Sequence, residues 1–263
     1  MKDVNEEQNF REQSARETEQ QGQNTILKSI TQAWMNESVK TKYSYHFEWL
    51  GRPIIQYPQD IVAMQQLLWK IKPDLIIETG IARGGSLIFH SSILELIAQC
   101  GGPSEATILG IDIDIRSHNK DAILAHPMSK RVEMLQGSSV DKGIIQQVRD
   151  RVKGKKRVLV CLDSNHTHEH VLEELRLYAP LVSVGSYVVV FDTIVEDLPA
   201  DTYPDRTWGK GDNPKTAIME YLQTLETSQV NGFDGTQLKL EVDRFIDDQL
   251  LITVAPSGYL KRV

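Results

Sequence analysis

Cysteine is nearly missing from this 263-residue chain, which holds only Cys100 and Cys161. No disulfide framework is implied, and a reducing compartment suits the pair. No apolar run approaches the ~20 residues that a membrane-spanning helix needs. The first residues carry no apolar segment of the signal-peptide kind. A cytoplasmic protein without a membrane span is the expectation. Positive charge is also short: 29 Lys and Arg stand against 36 Asp and Glu, a net charge of −7. Nucleic acid is an unsuitable main partner, because phosphate contacts need a basic surface. Two glycine motifs are missing as well. Ala82 stands where a dinucleotide loop needs its middle glycine, and Gly85 is followed by Ser86 rather than the Lys of a P-loop.

What is present centres on residues 73–90. Leu75, Ile76 and Ile77 form a short apolar run behind Pro73, which reads as a strand buried on both faces of a parallel sheet. Gly80, Gly84 and Gly85 then punctuate a turn, and a helical pattern resumes at Leu87. Glu78 falls at the carboxyl end of the strand, where open α/β sheets bind ligands. An acid beside a glycine loop repels phosphate and favours a cationic, amine-bearing ligand. The sulfonium and amino group of S-adenosylmethionine fit that description. Glu78, Thr79, Gly80, Gly84, Gly85 and Ser86 are the candidates to hold it. The plainer reading is a glycine turn that only joins strand to helix.

At this length, 40% apolar residues suffice for one large α/β domain. Residues 1–24 are polar and almost free of aliphatics, and predict a flexible tail. A partner subunit ordering them as a helix is the alternative, and a homo-oligomer would follow from it. Residues 25–72 form a helical and cap region. Within it an aromatic stretch, 42–57, is expected to lie over the core as a loop. Residues 73–263 form the main domain.

A second strand, 107–114, ends in Asp112 and Asp114. An acid at this place in a nucleoside-binding sheet accepts ribose hydroxyls, with Asp112 the better placed. A third strand begins at Val132 and turns at Gly137-Ser138-Ser139, whose position suits the border of an adenine ring. The fourth strand, Val158–Leu162, leads into Asp163, and the fifth, Tyr187–Phe191, into Asp192. Neighbouring strands lie about 4.8 Å apart, so both carboxylates reach one divalent cation; Mg²⁺, Mn²⁺ or Ca²⁺ suit oxygen ligands. Asp163-x-x-His166 sets an acid and an imidazole on one turn. His166 is a candidate general base, or simply a helix N-terminal residue bonded to backbone. His168 and His170 alternate with polar residues and look exposed. The long polar loop 194–215 suggests a lid. Leu250–Val254 is expected to add a late strand to an antiparallel edge, with 256–262 turn-like.

Taken together, the chain resembles the family named for cephalosporin hydroxylase and rhamnosyl O-methyltransferases. The resembling pieces are Glu78-Thr79-Gly80 with Gly84-Gly85-Ser86, Gly110-Ile111-Asp112, Leu162-Asp163-Ser164-Asn165-His166, Val190-Phe191-Asp192-Thr193, Gly211-Asp212-Asn213-Pro214 and Gly258-Tyr259-Leu260. They span residues 45–262. The resemblance implies a Rossmann-like class I methyltransferase fold, a mostly parallel sheet with helices on both faces and an antiparallel C-terminal edge. It implies S-adenosylmethionine as methyl donor and a hydroxyl of a sugar or natural-product small molecule as acceptor. It also implies Mg²⁺ held by Asp163 and Asp192, with His166 as base. Members often have two adjacent acids after the fifth strand. Here Phe191 takes the first place, and Thr193 is the substitute oxygen donor. Two other classes remain from the residues alone: an NAD(P)-dependent oxidoreductase, which Ala82 disfavours, and a non-catalytic protein that binds the cofactor.

Overall fold

Two helices, α1 (Lys2–Gln23) and α2 (Thr25–Lys40), open the chain in the computed structural model, which describes residues 2–263. The stretch expected as a flexible tail is thus helical, apart from Met1, which lies outside the described residues. Glu, Gln and Arg are good helix formers, and they pair one turn apart. Arg11 meets Glu7 at 2.5 Å, and Gln13 donates to Glu17 at 2.8 Å. The Gln21 amide donates to the Asp248 carbonyl at 2.7 Å, which ties the end of α1 to the C-terminal region. Asn24 caps α2 by accepting from the Leu27 amide.

The aromatic stretch is more ordered than a loop. A 3₁₀ turn over Tyr43–His46 leads into a hairpin of β1 (Phe47–Trp49) and β2 (Arg52–Ile54). There follow α3 (Pro58–Ile71), β3 (Leu75–Thr79), α4 (Gly85–Gln99), β4 (Thr107–Asp112), α5 (Ser117–Leu124), β5 (Val132–Gln136), α6 (Lys142–Val152), β6 (Val158–Leu162), α7 (His168–Tyr178) and β7 (Tyr187–Val190). The chain finishes with α8 (Pro214–Thr227), β8 (Leu240–Val242), α9 (Arg244–Leu250) and β9 (Tyr259–Arg262).

Seven strands form one sheet in the order β5-β4-β3-β6-β7-β9-β8. The first five run parallel, and β9 is antiparallel to both of its neighbours. Side chains alternate between two cores. Ile76, Ile108, Leu159 and Val189 face Met64, Leu68 and Leu87 of α3 and α4. Ile77, Leu109, Val160 and Val188 face Val148, Leu175 and Tyr221 of α6, α7 and α8. The crossovers diverge between β3 and β6, so a crevice opens beyond their carboxyl ends.

The edge strand is not where the sequence predicts it. Leu250 ends α9, Leu251 takes a left-handed φ of 57°, and residues 252–254 belong to no strand. Tyr259–Arg262, expected as turn, is the strand. The reason is a buried acid that a hydropathy pattern does not show. Asp60 of α3 is fully buried and accepts from Thr253 Oγ1 at 2.5 Å, the Val254 amide at 2.9 Å and Tyr259 Oη at 2.8 Å.

Burial, only partly offset by those hydrogen bonds, pushes the Asp60 carboxyl up to about 6. The folded state therefore holds this proton more tightly than the unfolded chain does. The group's contribution to stability falls as pH rises from about 4 to about 6 and is constant above. Asp60→Asn should remove that slope. Its stability relative to the parent should improve by about 2–3 kcal/mol between pH 4 and pH 7, read from urea midpoints. A pH-independent difference would refute this.

Candidate active site

The glycine turn and the end of β6 are in van der Waals contact. Gly80 has φ +89°, and a Cβ there would lie 2.0 Å from the Asp163 carbonyl oxygen. A side chain at Gly85 would strike the Pro53 carbonyl at 2.2 Å, so the hairpin closes on the start of α4. These two positions need glycine to keep the turn tight. Ala82, between them, adopts φ +46°, a left-handed conformation in a residue with a Cβ.

Glu78 is almost fully buried at the end of β3. Ser86 Oγ donates to its Oε1, and His90 Nδ1 lies 3.1 Å from its Oε2. Thr79 is fully buried, and its carbonyl accepts the Asp163 amide at 2.9 Å. Two adjoining hollows meet at Gln56, Ser86 and Asp163. One follows the turn from Gly80 to Arg83; the other runs inward past Glu78, His90 and Phe191.

Asp112 Oδ2 accepts from the amides of Ile81 at 2.8 Å and Ala82 at 3.3 Å, and Oδ1 accepts from the Asp114 amide at 3.0 Å. It steadies the turn and is itself partly exposed. Asp114 pairs with Arg116 on the surface instead. Gly137 donates to the Asp112 carbonyl at 2.9 Å, which places the 137–139 turn beside that acid. Ser139, however, is buried, and its hydroxyl lies 3.1 Å from His170 Nε2 rather than facing open space.

Asp163, His166 and Asp192 converge, with one ligand atom of each within 4.8 Å of the others. His166 Nε2 lies 3.1 Å from Asp192 Oδ2, and Gln56 Nε2 donates to Asp163 Oδ2 at 3.4 Å. Asp192 sits at φ +56°, a strained turn that Asp tolerates better than most residues. Burial, then the charges of Asp192, Glu78, Glu174 and Asp60, holds the Asp163 carboxyl well above its usual range. Two hard oxygen donors and an imidazole, set among further carboxylates, are a donor set that a divalent cation fits. Thr193 is not among them. It is fully buried, and its hydroxyl donates to the Pro256 carbonyl at 2.8 Å. Phe191 packs into the apolar core and lines the inner hollow.

The loop after β7 lies over this trio. Trp208 packs edge-on against the His166 ring at 5.1 Å and 87°, and Tyr203 packs on Trp208 at 4.8 Å. The loop is clamped: Glu196 Oε2 accepts from the Gly211 amide at 2.8 Å and from Asn213 Nδ2 at 2.5 Å. Gln56, His90 and Trp208 are site residues that no local motif revealed.

Comparison with known proteins gives three findings. The family description Rhamnosyl O-methyltransferase/CmcI matches residues 41–263. A rhamnosyl O-methyltransferase of Mycobacterium bovis (strain BCG / Pasteur 1173P2) is 31% identical over 208 residues, 77% of this chain and 73% of its own. Among solved structures, the CmcI-N160 apo structure is 17% identical with a TM-score of 0.55. The CmcI-D160 structure with Mg and SAM is 18% identical, also at 0.55. Each covers 83% of this chain and 77% of its own. The Rossmann-like class I methyltransferase fold expected from the sequence is the one this chain has.

Proposed function

The chain belongs to the rhamnosyl O-methyltransferase/CmcI family, and on that premise we propose S-adenosylmethionine-dependent O-methylation of a sugar or natural-product hydroxyl. One observation carries this reading: Asp163 lines the hollow along the glycine turn and also converges with His166 and Asp192, so it joins the two halves of the site. A nicotinamide-dependent oxidoreductase has no comparable support.

The donor supplies an electrophilic methyl carbon on a sulfonium. Glu78 and Ser86 face its amino-acid end, and Asp112 offers carboxylate oxygens to ribose hydroxyls. Gly137 and Ser138 border the base with backbone atoms; Ser139 points elsewhere. A divalent cation, when held by Asp163 and Asp192, supplies positive charge that favours an ionised acceptor oxygen. His166, its Nε2 3.1 Å from Asp192 Oδ2, takes the hydroxyl proton on its imidazole. The acceptor oxygen forms its bond to the methyl carbon as the carbon–sulfur bond breaks toward sulfur. Trp208 fixes the plane of the imidazole, since an edge-on aromatic contact restricts rotation.

Transfer of a labelled methyl group from S-adenosylmethionine to rhamnosyl glycosides tests the reading. Activity should fall at least about tenfold on chelation with EDTA and return with Mg²⁺. A chain that binds neither S-adenosylmethionine nor its demethylated product in calorimetry would end the proposal. Cytoplasmic location and a homo-oligomeric assembly belong to the same proposal, supported by cysteine usage and the polar N-terminal helix. Among the described residues no helix is long and apolar enough to cross a membrane.

A further inference from the structure

Behind the Asp163 turn lies a polar cluster that methyl transfer does not use. Glu174 of α7 is fully buried. Its Oε1 accepts from Ser164 Oγ at 2.7 Å, and its Oε2 is buried without a hydrogen-bond partner. His170, one turn earlier, brings Nε2 to 3.1 Å from Ser139 Oγ, 3.2 Å from Ser164 Oγ and 3.5 Å from Glu174 Oε1. Tyr178 Oη donates to the Ser139 carbonyl at 2.7 Å.

The hydrogen positions follow from donor counting. An ionised carboxylate only accepts, and the Ser164 hydroxyl hydrogen goes to Glu174. Ser164 Oγ then faces Nε2 as an acceptor, so Nε2 carries the hydrogen. That one N–H lies between the turn after β5 and the turn after β6. It continues a chain of contacts that starts at Asp112, whose carbonyl accepts the Gly137 amide. A buried carboxylate with a bare oxygen is costly, and an apolar pair would fill the same place at less expense of stability. Glu174 and His170 therefore point to a task other than stability.

We propose that His170 and Glu174 are positioning residues that fasten the Asp163–His166 turn to the 137–139 turn. Filling the nucleoside side of the cleft then orders the loop that carries the acid and the histidine. Ser139 is the anchor of this link rather than a group that touches the base. The inference rests on the function proposed above.

Hydrogen exchange with and without S-adenosylhomocysteine tests it, on the full chain and on His170→Ala, His170→Gln and Glu174→Gln. In the parent, the ligand should slow exchange over both 80–86 and 163–167. In His170→Ala, slowing over 80–86 should persist, while slowing over 163–167 falls by about tenfold or more. His170→Gln should restore it, because its amide N–H reaches the same acceptors. Glu174→Gln should lose part of it. The same His170→Ala protein should lose about tenfold in kcat, with acceptor KM changed less than about twofold. Full protection of 163–167 in His170→Ala would overturn the link. So would equal loss in the Ala and Gln variants together with a matching fall in melting temperature, which marks a merely structural role. Parent protein without protection at 80–86 would instead remove the cofactor reading itself, and this inference with it.

Discussion

His166→Ala is expected to lower kcat by about 10²–10⁴ while leaving the affinity for S-adenosylmethionine within about twofold. The side chain stands beside Asp192 at 3.1 Å, is braced by Trp208 and, unlike Asp163, does not line the hollow along the glycine turn. Removing it should therefore touch proton transfer and not cofactor capture. The same variant separates two roles for the imidazole. As base, its loss leaves Mg²⁺ affinity unchanged in calorimetry and makes the residual rate rise with pH, because hydroxide in solution then competes. As a third metal donor beside Asp163 and Asp192, its loss weakens Mg²⁺ binding about tenfold or more, as removal of one ligand does. A variant with parental kcat and parental Mg²⁺ affinity would remove His166 from both roles. Trp208→Phe should keep most of the rate and Trp208→Ala should not, since only the aromatic edge restricts the ring.

Much of the fold is legible because its signals are local. Leu75–Ile77, Val158–Leu162 and Tyr187–Phe191 are apolar runs of strand length, and the first two lead through short turns into α4 and α7. Asp141 caps α6 through the Gly143 and Ile144 amides, and Asn213 caps α8 ahead of Pro214, as the residues suggest. The failures are where distant groups decide. Leu250–Val254 is apolar enough for a strand, but Asp60, nearly 200 positions earlier, captures Thr253 and Val254 and turns the chain. Residues 2–23 have no apolar face to predict order, yet helix formers and the Gln21 contact give one. The helix α5 has too weak a period to be seen.

The site divides in the same way. Asp163, His166 and Asp192 are legible because two parallel strands end side by side, which is topology expressed as spacing. Thr193 and Ser139 are wrong in direction rather than in place. Their backbones sit at the site, while their hydroxyls turn toward Pro256 and His170. Sequence position fixes which strand end a residue occupies; it does not fix a rotamer. His170, which alternates with polar neighbours and looks solvent-facing, is partly buried because the helix start wraps against Ser139.

Asp163→Asn is expected to act in opposite directions on stability and on function. Asp163 lies among Asp192, Glu78, Glu174 and Asp60, and their combined field, with burial, disfavours its charge. Asparagine keeps the shape and can still accept from Gln56, whose amide now reaches Asp163 Oδ2. It carries no carboxyl whose ionisation burial and the neighbouring acids oppose. The metal-free variant should therefore melt above the metal-free parent, by about 2–6 °C for a gain of about 1–2 kcal/mol in a chain of this size. Mg²⁺ should raise the melting temperature of the parent, since a ligand that binds only the folded state stabilises it by mass action. The variant should show no such rise, and methyl transfer should drop about 10²-fold or more. If the acids were only a structural cluster, the substitution would leave the response to Mg²⁺ intact. A variant that is less stable than the parent without metal, yet still shifts with Mg²⁺, would place the cation elsewhere and leave Asp163 a buried acid with no ion to hold.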